Sequence, residues 1–137
     1  MNATILALAG YIGWTLLLLL ALATYRSVMA ISGQHKGLRF QADGFDVPEL
    51  GYRLTRAQAN CVESFSFIGG LMLMAMALDV TAITDPLALW LLAARVGQSI
   101  VHIVSISNAA IQLRFLLFLV QFLICAYWTI MLIMRFI

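Results

Sequence analysis

The chain alternates long apolar runs with short polar segments. Uncharged runs cover residues 1–25, 64–78, 86–94, 96–113 and 115–134. A helix needs about 20 residues to cross the hydrocarbon core of a bilayer, so the pattern predicts an all-α membrane protein built as an antiparallel, up-and-down bundle of four transmembrane helices. We expect these helices in a single domain of residues 1–137, over about residues 4–31, 54–80, 86–106 and 111–136.

The composition favours the same class. The chain is 64% hydrophobic and 10% charged, with a mean hydropathy of +1.00, whereas soluble domains carry about 25% charged residues. The net charge is only +2, without a run of Lys or Arg, which argues against nucleic acid as a partner. No Lys or Arg precedes the first apolar run, and this run reaches full spanning length, so we expect a retained helix and not a cleaved signal peptide.

The connection over about residues 32–53 concentrates Gly, Pro and charged residues, so we expect it to be the one substantial aqueous loop. Cations cluster at this loop, and Arg114 lies beside the third connection. The opposite side offers Asp79, Asp85 and a single cation, Arg135. This distribution predicts that the first and third connections face the cytoplasm and that both termini lie on the opposite side.

Two polar stripes interrupt the apolar pattern. Arg56, Asn60 and Glu63 are spaced by four and three residues, which places them within about 60° of one another on one face of the second helix. The third helix carries a second stripe, with spacings of three and four, formed by Arg95, Gln98 and His102. Charged side chains are costly in a bilayer and face the bundle interior, a partner subunit or a wet cavity. The two stripes are therefore expected to line one polar cleft.

The contents of this cleft can be interpreted in more than one way. Glu63 and Arg95 are natural counter-ions, and such a pair could simply hold the bundle together. Cations outnumber carboxylates here, since Arg56 and Arg114 lie nearby as well, which favours an anionic ligand that also carries an amine. A small transporter or channel subunit is a further alternative, although the helices lack the broken or repeated pattern of transporters.

Other polar and sulfur-containing residues suggest no metal site. The methionines of "LMLMAMA", residues 71–77, are typical of packing or lipid-facing positions. His35 and His102 lack supporting ligands at the spacing that zinc requires. Cys61 and Cys125 fall inside predicted helices and are expected to act as small apolar packing residues.

Two segments resemble signatures of a known family. "RAQANCVESF", residues 56–65, and "ARVGQSIVHI", residues 94–103, resemble the second- and third-helix motifs of the membrane-associated proteins in eicosanoid and glutathione metabolism, the MAPEG family. The first motif is most similar to the leukotriene C synthase branch. The resemblance implies a four-helix bundle that assembles as a homotrimer in the bilayer, with glutathione as co-substrate held between neighbouring subunits.

The resemblance also assigns roles to individual residues. The glutathione-binding positions would be Arg56, Gln58, Asn60, Glu63, Arg95, Gln98 and His102, with Glu63 matching the amine of the tripeptide. Lys36, or alternatively Arg39, matches a cation at the end of the first helix that meets a carboxylate. Arg114 resembles the fourth-helix arginine that favours the glutathione thiolate, and it is therefore the expected catalytic residue.

The implied activity is that of a glutathione-dependent transferase or peroxidase acting on small lipophilic electrophiles, which would reach the site from the lipid side. The alternative is a non-catalytic trimer that binds lipid or a partner membrane protein in the same groove, because the family includes a non-enzymatic member. The sequence departs from the family motifs at four positions. Gln98 stands where the family usually has Tyr or His, and His102 where it usually has Tyr, so ring contacts to glutathione are partly lost. Ser64 replaces an aromatic residue, and Ser66 stands in place of a proline.

Overall fold

Four long helices account for most of the protein in a computed structural model, which describes residues 2–35, 37, 39–45 and 48–137. They are α1 (Ala3–Ile31), α2 (Glu49–Ala77), α3 (Asp85–Val104) and α4 (Asn108–Phe136). The described part of the chain contains no β-strand. Each helix is long and apolar enough to span a membrane. The structure thus confirms the predicted all-α, four-helix, multi-pass membrane fold, while the orientation of its loops stays a prediction.

The start of α2 differs most from the sequence-based boundaries, since this helix begins at Glu49 and not near residue 54. Pro48 directly precedes it, and Glu49 places a negative charge in the first turn, where the helix dipole favours it. The polar residues between positions 49 and 56 suggest a loop when only apolar length is considered. They instead extend the helix beyond its apolar segment, which brings Arg53 onto the same helix as Arg56.

The helices occupy the corners of a four-sided bundle. α3 packs extensively against α1 and α4, α1 also packs against α2, and α2 and α3 meet across one diagonal. The core includes Leu8, Tyr11, Cys61, Ile68, Met72, Leu91 and Trp128. Tyr11 ties α1 to α2 because its hydroxyl donates a 2.5 Å hydrogen bond to the backbone carbonyl of Cys61.

A polar cluster joins α1 to α3 at one end of the bundle. The carboxylate of Asp85 accepts hydrogen bonds from the backbone N–H of Thr4 at 2.9 Å and from its hydroxyl at 2.6 Å. The Thr84 hydroxyl lies 2.6 Å from the Thr4 hydroxyl. These bonds satisfy polar groups that would otherwise be costly at a buried helix end, and they fix the α1–α3 side of the bundle.

The α2–α4 side is the least closely packed of the helix pairs in contact. The α3 helix lies behind the gap between these two helices, because it contacts both of them. Elsewhere the outer surface presents large apolar side chains suited to lipid, such as Leu16, Leu20 and Phe115. Among the described residues, the α2–α4 side therefore leaves a lengthwise opening that polar side chains enter.

Candidate functional site

The opening between α2 and α4, here called the α2–α4 slot, contains three cavities. The basic cavity, of about 380 Å³, is lined by Glu49, Tyr52, Arg53, Arg56, Asn60, His102, Ile106, Ile111 and Arg114. The middle cavity, of about 310 Å³, is lined by Asn60, Glu63, Ser64, Phe67, Arg95, Gln98 and Phe118. The apolar cavity, of about 240 Å³, is lined by Phe67, Leu71, Phe122, Cys125, Ala126 and Thr129. Asn60 and Phe67 are each shared by two cavities, so the three follow one another along α2.

One face of α2 supplies most of the polar wall. The residues of α2 that line the slot include Arg53, Arg56, Asn60, Glu63 and Phe67. Successive residues in this series are three, four, three and four positions apart. This spacing keeps side chains on one face over four turns of a helix. The slot consequently changes along α2 from a basic end that also contains Glu49, through a middle part with the Glu63 carboxylate, to an apolar end.

Arg95 connects α3 to α2 at the centre of the slot and is only 3% exposed. Its Nη1 donates to the Ser64 hydroxyl at 2.7 Å and to the backbone carbonyl of Asn60 at 3.3 Å. Its Nη2 donates to the side-chain oxygen of Gln98. These bonds satisfy much of a buried guanidinium, so Arg95 forms part of a fixed polar network in the slot wall.

Gln121 extends this network to α4 and is likewise 3% exposed. Its amide Nε2 donates to the Gln98 oxygen at 2.8 Å and to the backbone carbonyl of Leu117 at 3.0 Å. The single oxygen of Gln98 therefore accepts from both Arg95 and Gln121. Because an amide oxygen that accepts two donors has a fixed orientation, the Gln98 amide group is held at the slot surface.

A direct pair between Glu63 and Arg95, one of the alternatives that the sequence left open, does not form in the structure. Arg95 reaches Ser64, one residue beyond Glu63, because a step of one residue turns a helix by about 100°. That step points Ser64 toward α3 and leaves Glu63 exposed at the rim. Within the described part of the chain, the Glu63 carboxylate has no hydrogen-bond or ion-pair partner. Glu63 and Arg95 still line the same cavity.

Three arginines in the slot retain unused donors. The Nε atoms of Arg53, Arg95 and Arg114 are buried and have no hydrogen-bond partner among the described residues. A buried donor without a partner costs about 1–3 kcal/mol, and native proteins leave few of them without a reason. The charge of the basic cavity is more informative, because Arg53, Arg56 and Arg114 line it with one acidic residue, Glu49, and this excess of positive charge suits an anionic ligand.

The other predicted site residues are distributed unevenly. Arg56, His102 and Arg114 meet around the basic cavity. Gln58 is half-buried and lines none of the three cavities of the slot, because it lies two residues, or about 200°, from Arg56 on the helix. Lys36 lies outside the described residues, and its expected role stays a prediction. The described residues include no group of three or more His, Cys, Asp or Glu side chains that could hold a metal ion.

Sequence reasoning assigned no role in the site to Arg53 and Gln121. Arg53 precedes Arg56 by three residues and would have continued the α2 stripe if the helix had been extended beyond residue 54. Gln121 follows Arg114 by seven residues, which returns to the same helix face after two turns. Helical spacing in the sequence therefore indicates both that Arg53 continues the α2 stripe and that Gln121 lies on the same face of α4 as Arg114. In the sequence, Ser64 is only a departure from a family motif, and its position does not identify Arg95 as its partner.

We expect Gln98→Leu to destabilise the protein by about 1–3 kcal/mol, because it leaves donors of Arg95 and Gln121 without their shared acceptor. Thermal unfolding in detergent measures the effect. Gln98→Glu is the matched control, because a carboxylate keeps an acceptor for both donors. Adding Gln121→Leu to Gln98→Leu should recover part of the loss. Equal stability of Gln98→Leu and the wild type would show that the network contributes nothing.

Comparisons with known proteins complete the description of the site. The model of the MAPEG family matches residues 4–134 of the chain, which includes all four helices except their outermost residues. No curated protein and no solved structure matches the chain. Since the family match covers nearly the whole chain, it includes both polar stripes and the α2–α4 slot. The chain therefore belongs to the MAPEG family, the membrane-associated proteins in eicosanoid and glutathione metabolism.

Proposed function

We propose that the α2–α4 slot binds glutathione and activates its thiol for attack on a small lipophilic electrophile. The observation that carries the proposal is the meeting of Arg53, Arg56 and Arg114 around the basic cavity, in one slot with the unpaired carboxylate of Glu63. Glutathione offers two carboxylates, one amine and one thiol. Its charge pattern complements a slot in which the cations Arg53, Arg56 and Arg114 outnumber the two exposed acidic side chains, Glu49 and Glu63, and family membership supports the same ligand.

The groups of glutathione can be matched to the slot by charge. Arg53 and Arg56 line the basic cavity and suit the carboxylates, because guanidinium forks bind carboxylates bidentately. Glu63 suits the ammonium group in the middle cavity. Asn60 lines both cavities, so its side-chain amide is placed to contact the peptide backbone between the charged ends.

Arg114 is the proposed catalytic residue, since it lines the basic cavity from the first turns of α4. A free thiol has a pKa near 8.5 and is mostly protonated at neutral pH, whereas a guanidinium beside the sulfur favours the thiolate. In the transfer reaction the thiol proton leaves to solvent and the sulfur forms a bond to the electrophilic carbon. The bond from that carbon to its leaving group breaks, and the leaving group departs with the electron pair.

The apolar cavity suits the lipophilic co-substrate. It adjoins the middle cavity through Phe67 and is lined mainly by aromatic and aliphatic groups, including Leu71 and Phe122. Transfer of apolar surface from water into such a cavity contributes about 25 cal/mol per Å². An electrophile entering from the lipid through this cavity would have to extend along the middle cavity to reach a thiol beside Arg114, because the apolar and basic cavities share no lining residue.

A homotrimer accounts for the open side of the slot. Glu63 is exposed on the surface of a membrane-spanning helix, and a carboxylate facing lipid would cost several kcal/mol. A neighbouring copy packed against α2 and α4 would remove this cost and enclose the ligand. Native mass spectrometry in detergent measures the oligomeric state, and a monomer that binds glutathione would contradict the arrangement.

The proposed function is tested by two measurements on the purified protein. We expect saturable binding of glutathione by calorimetry and turnover of a chromogenic aryl halide. S-methylglutathione is the matched ligand control, because it keeps the charged groups but has no free thiol. It should bind and inhibit without reacting. If glutathione does not bind, the proposal fails.

The same measurements separate the enzyme from the alternative function. A non-catalytic trimer that holds lipid in the slot would give no turnover with any electrophile. It would instead retain a lipid or lipophilic probe against the apolar wall formed by Leu71 and Phe122. Saturable glutathione binding with turnover supports the enzyme, whereas lipid retention without glutathione binding supports the alternative.

A further inference from the structure

A second basic cavity lies where α1 ends and the following segment folds back onto it. This interfacial cavity has a volume of about 460 Å³ and is lined by Arg26, Ser27, Ala30, Arg39 and Phe40. It shares no lining residue with the cavities of the α2–α4 slot. The interfacial cavity is therefore separate from the slot within one copy of the chain, and it contains Arg39, the alternative to Lys36 that the family resemblance assigns to a carboxylate of glutathione.

Aromatic stacking holds one of its two cations in place. The Arg26 guanidinium carbon lies 5.5 Å from the centroid of the Phe40 ring, a favourable cation–π distance. The same guanidinium donates to the backbone carbonyl of Gln41 at 3.5 Å. On the chain beyond α1, the Phe40 ring stacks on His35 with centroids 4.0 Å apart. Arg26 is thus positioned by the folded segment before any ligand binds.

The charges of the cavity favour an anion. Two guanidinium groups and the Ser27 hydroxyl line it, and none of the residues that line it is acidic. Guanidinium forks match the geometry of phosphate oxygens and bind them bidentately. A hydroxyl adds a donor that can rotate toward the ligand. The cavity therefore combines the donor types that recognise a phosphate group.

The depth of the interfacial cavity in the membrane indicates that the phosphate belongs to a lipid. Arg26 is the first charged residue after the start of α1 at Ala3, and the 23-residue separation corresponds to about 35 Å along a helix axis. The hydrocarbon core is about 30 Å thick. Arg26 consequently lies at the level of the lipid headgroups, where basic pockets on membrane helices meet anionic lipids.

We propose that the interfacial cavity binds the phosphate group of an anionic phospholipid. Arg26 and Arg39 hold the phosphate oxygens, and Ser27 donates from the last turns of α1. Ala30, which also lines the cavity, leaves room beside them for the rest of the headgroup. Free phosphate has the same recognisable chemistry, but only a lipid also anchors its acyl chains along the apolar surface of α1.

The test compares lipids on the purified full-length protein by native mass spectrometry. Detergent-solubilised protein is mixed with phosphatidylglycerol or with zwitterionic phosphatidylcholine. We expect the wild type to retain about tenfold more phosphatidylglycerol. Arg39→Gln should remove this excess, because it removes one of the two guanidinium groups that line the cavity. The variant should still fold, since Arg39 is exposed and the Arg26–Phe40 contact does not involve it. Arg135→Gln, at the opposite end of the bundle, should retain the wild-type excess.

Further arms distinguish the possible sources of the anion. Equal retention of the two lipids, or full retention by Arg39→Gln, overturns the proposal. Complete displacement of phosphatidylglycerol by millimolar inorganic phosphate overturns the lipid assignment, and displacement by glutathione would assign the cavity to the glutathione site instead. If Arg39→Gln loses helix content by circular dichroism, Arg26→Lys replaces it in the comparison. This substitution keeps the charge but removes the bidentate guanidinium fork, and we expect it to retain less phosphatidylglycerol than the wild type.

Discussion

Arg114→Ala should lower turnover of a chromogenic aryl halide by about 100- to 1000-fold, while the Kd for glutathione changes little. Removing one preorganised group that stabilises developing or existing negative charge has an effect of this size. Arg114 is suited to this role because its side chain is largely buried and its Nε has no hydrogen-bond partner among the described residues. A cation in these surroundings is weakly screened and acts strongly on a nearby sulfur.

The measurement separates thiol activation from binding. Turnover gives the rate, calorimetry gives the Kd, and ultraviolet absorbance reports the glutathione thiolate bound to each variant. Arg114→Lys keeps the charge and should retain part of the thiolate signal. Arg135→Ala, near the end of the same helix, controls for the loss of an arginine as such. Turnover of Arg114→Ala close to that of the wild type would assign thiol activation to another group.

The membrane fold was accessible from the sequence because its signal is long and repetitive. The apolar runs, interrupted within the helices by only a few charged residues such as Arg95, give four segments of spanning length, so the four helices follow from hydropathy. The start of α2 was harder to place because polar residues follow Pro48. A helix that leaves the apolar layer keeps its backbone hydrogen bonds but loses its hydropathy signal, so hydropathy places Arg53 in a loop.

The face of α2 was also predictable, whereas the partners of its residues were not. Helical spacing placed Asn60 and Glu63 on one side, and both line the slot. Whether Arg95 meets Glu63 or Ser64 depends on a rotation of about 100° between neighbouring residues. That rotation depends on how α2 packs against α3, and the spacing of residues within one helix does not determine this packing.

The departures from the family motifs gain a physical meaning from the Arg95 network. Ser64 and Gln98 both accept from Arg95, and Gln121 supports Gln98 from α4. The hydroxyl of Ser66 donates to the backbone carbonyl of Glu63 at 3.1 Å, whereas a proline there would have no donor. Ser64 and Gln98 thus form a coordinated polar set in place of aromatic rings.

Glu63→Gln should weaken glutathione binding by about 30-fold or more. The substitution keeps the size of the side chain and one acceptor oxygen, so it removes little besides the negative charge. Truncating one member of a desolvated, hydrogen-bonded charge pair costs about 2 kcal/mol or more, which corresponds to this change in Kd. Calorimetry on the purified protein measures the Kd. Asp79→Asn is the matched control, because Asp79 is exposed with φ 56° and asparagine tolerates this conformation well.

The pairing of Glu63 with the glutathione amine can be tested from the ligand side as well. N-acetylglutathione has lost the ammonium charge, so it should bind the wild type about 30-fold more weakly than glutathione does. If Glu63 meets the amine, the acetyl group should weaken binding to Glu63→Gln far less, because the charge pair is already lost in that variant. Equal penalties in the two proteins would mean that Glu63 acts elsewhere. Its exposed position within a membrane helix would then have to be explained by a contact with a neighbouring copy alone.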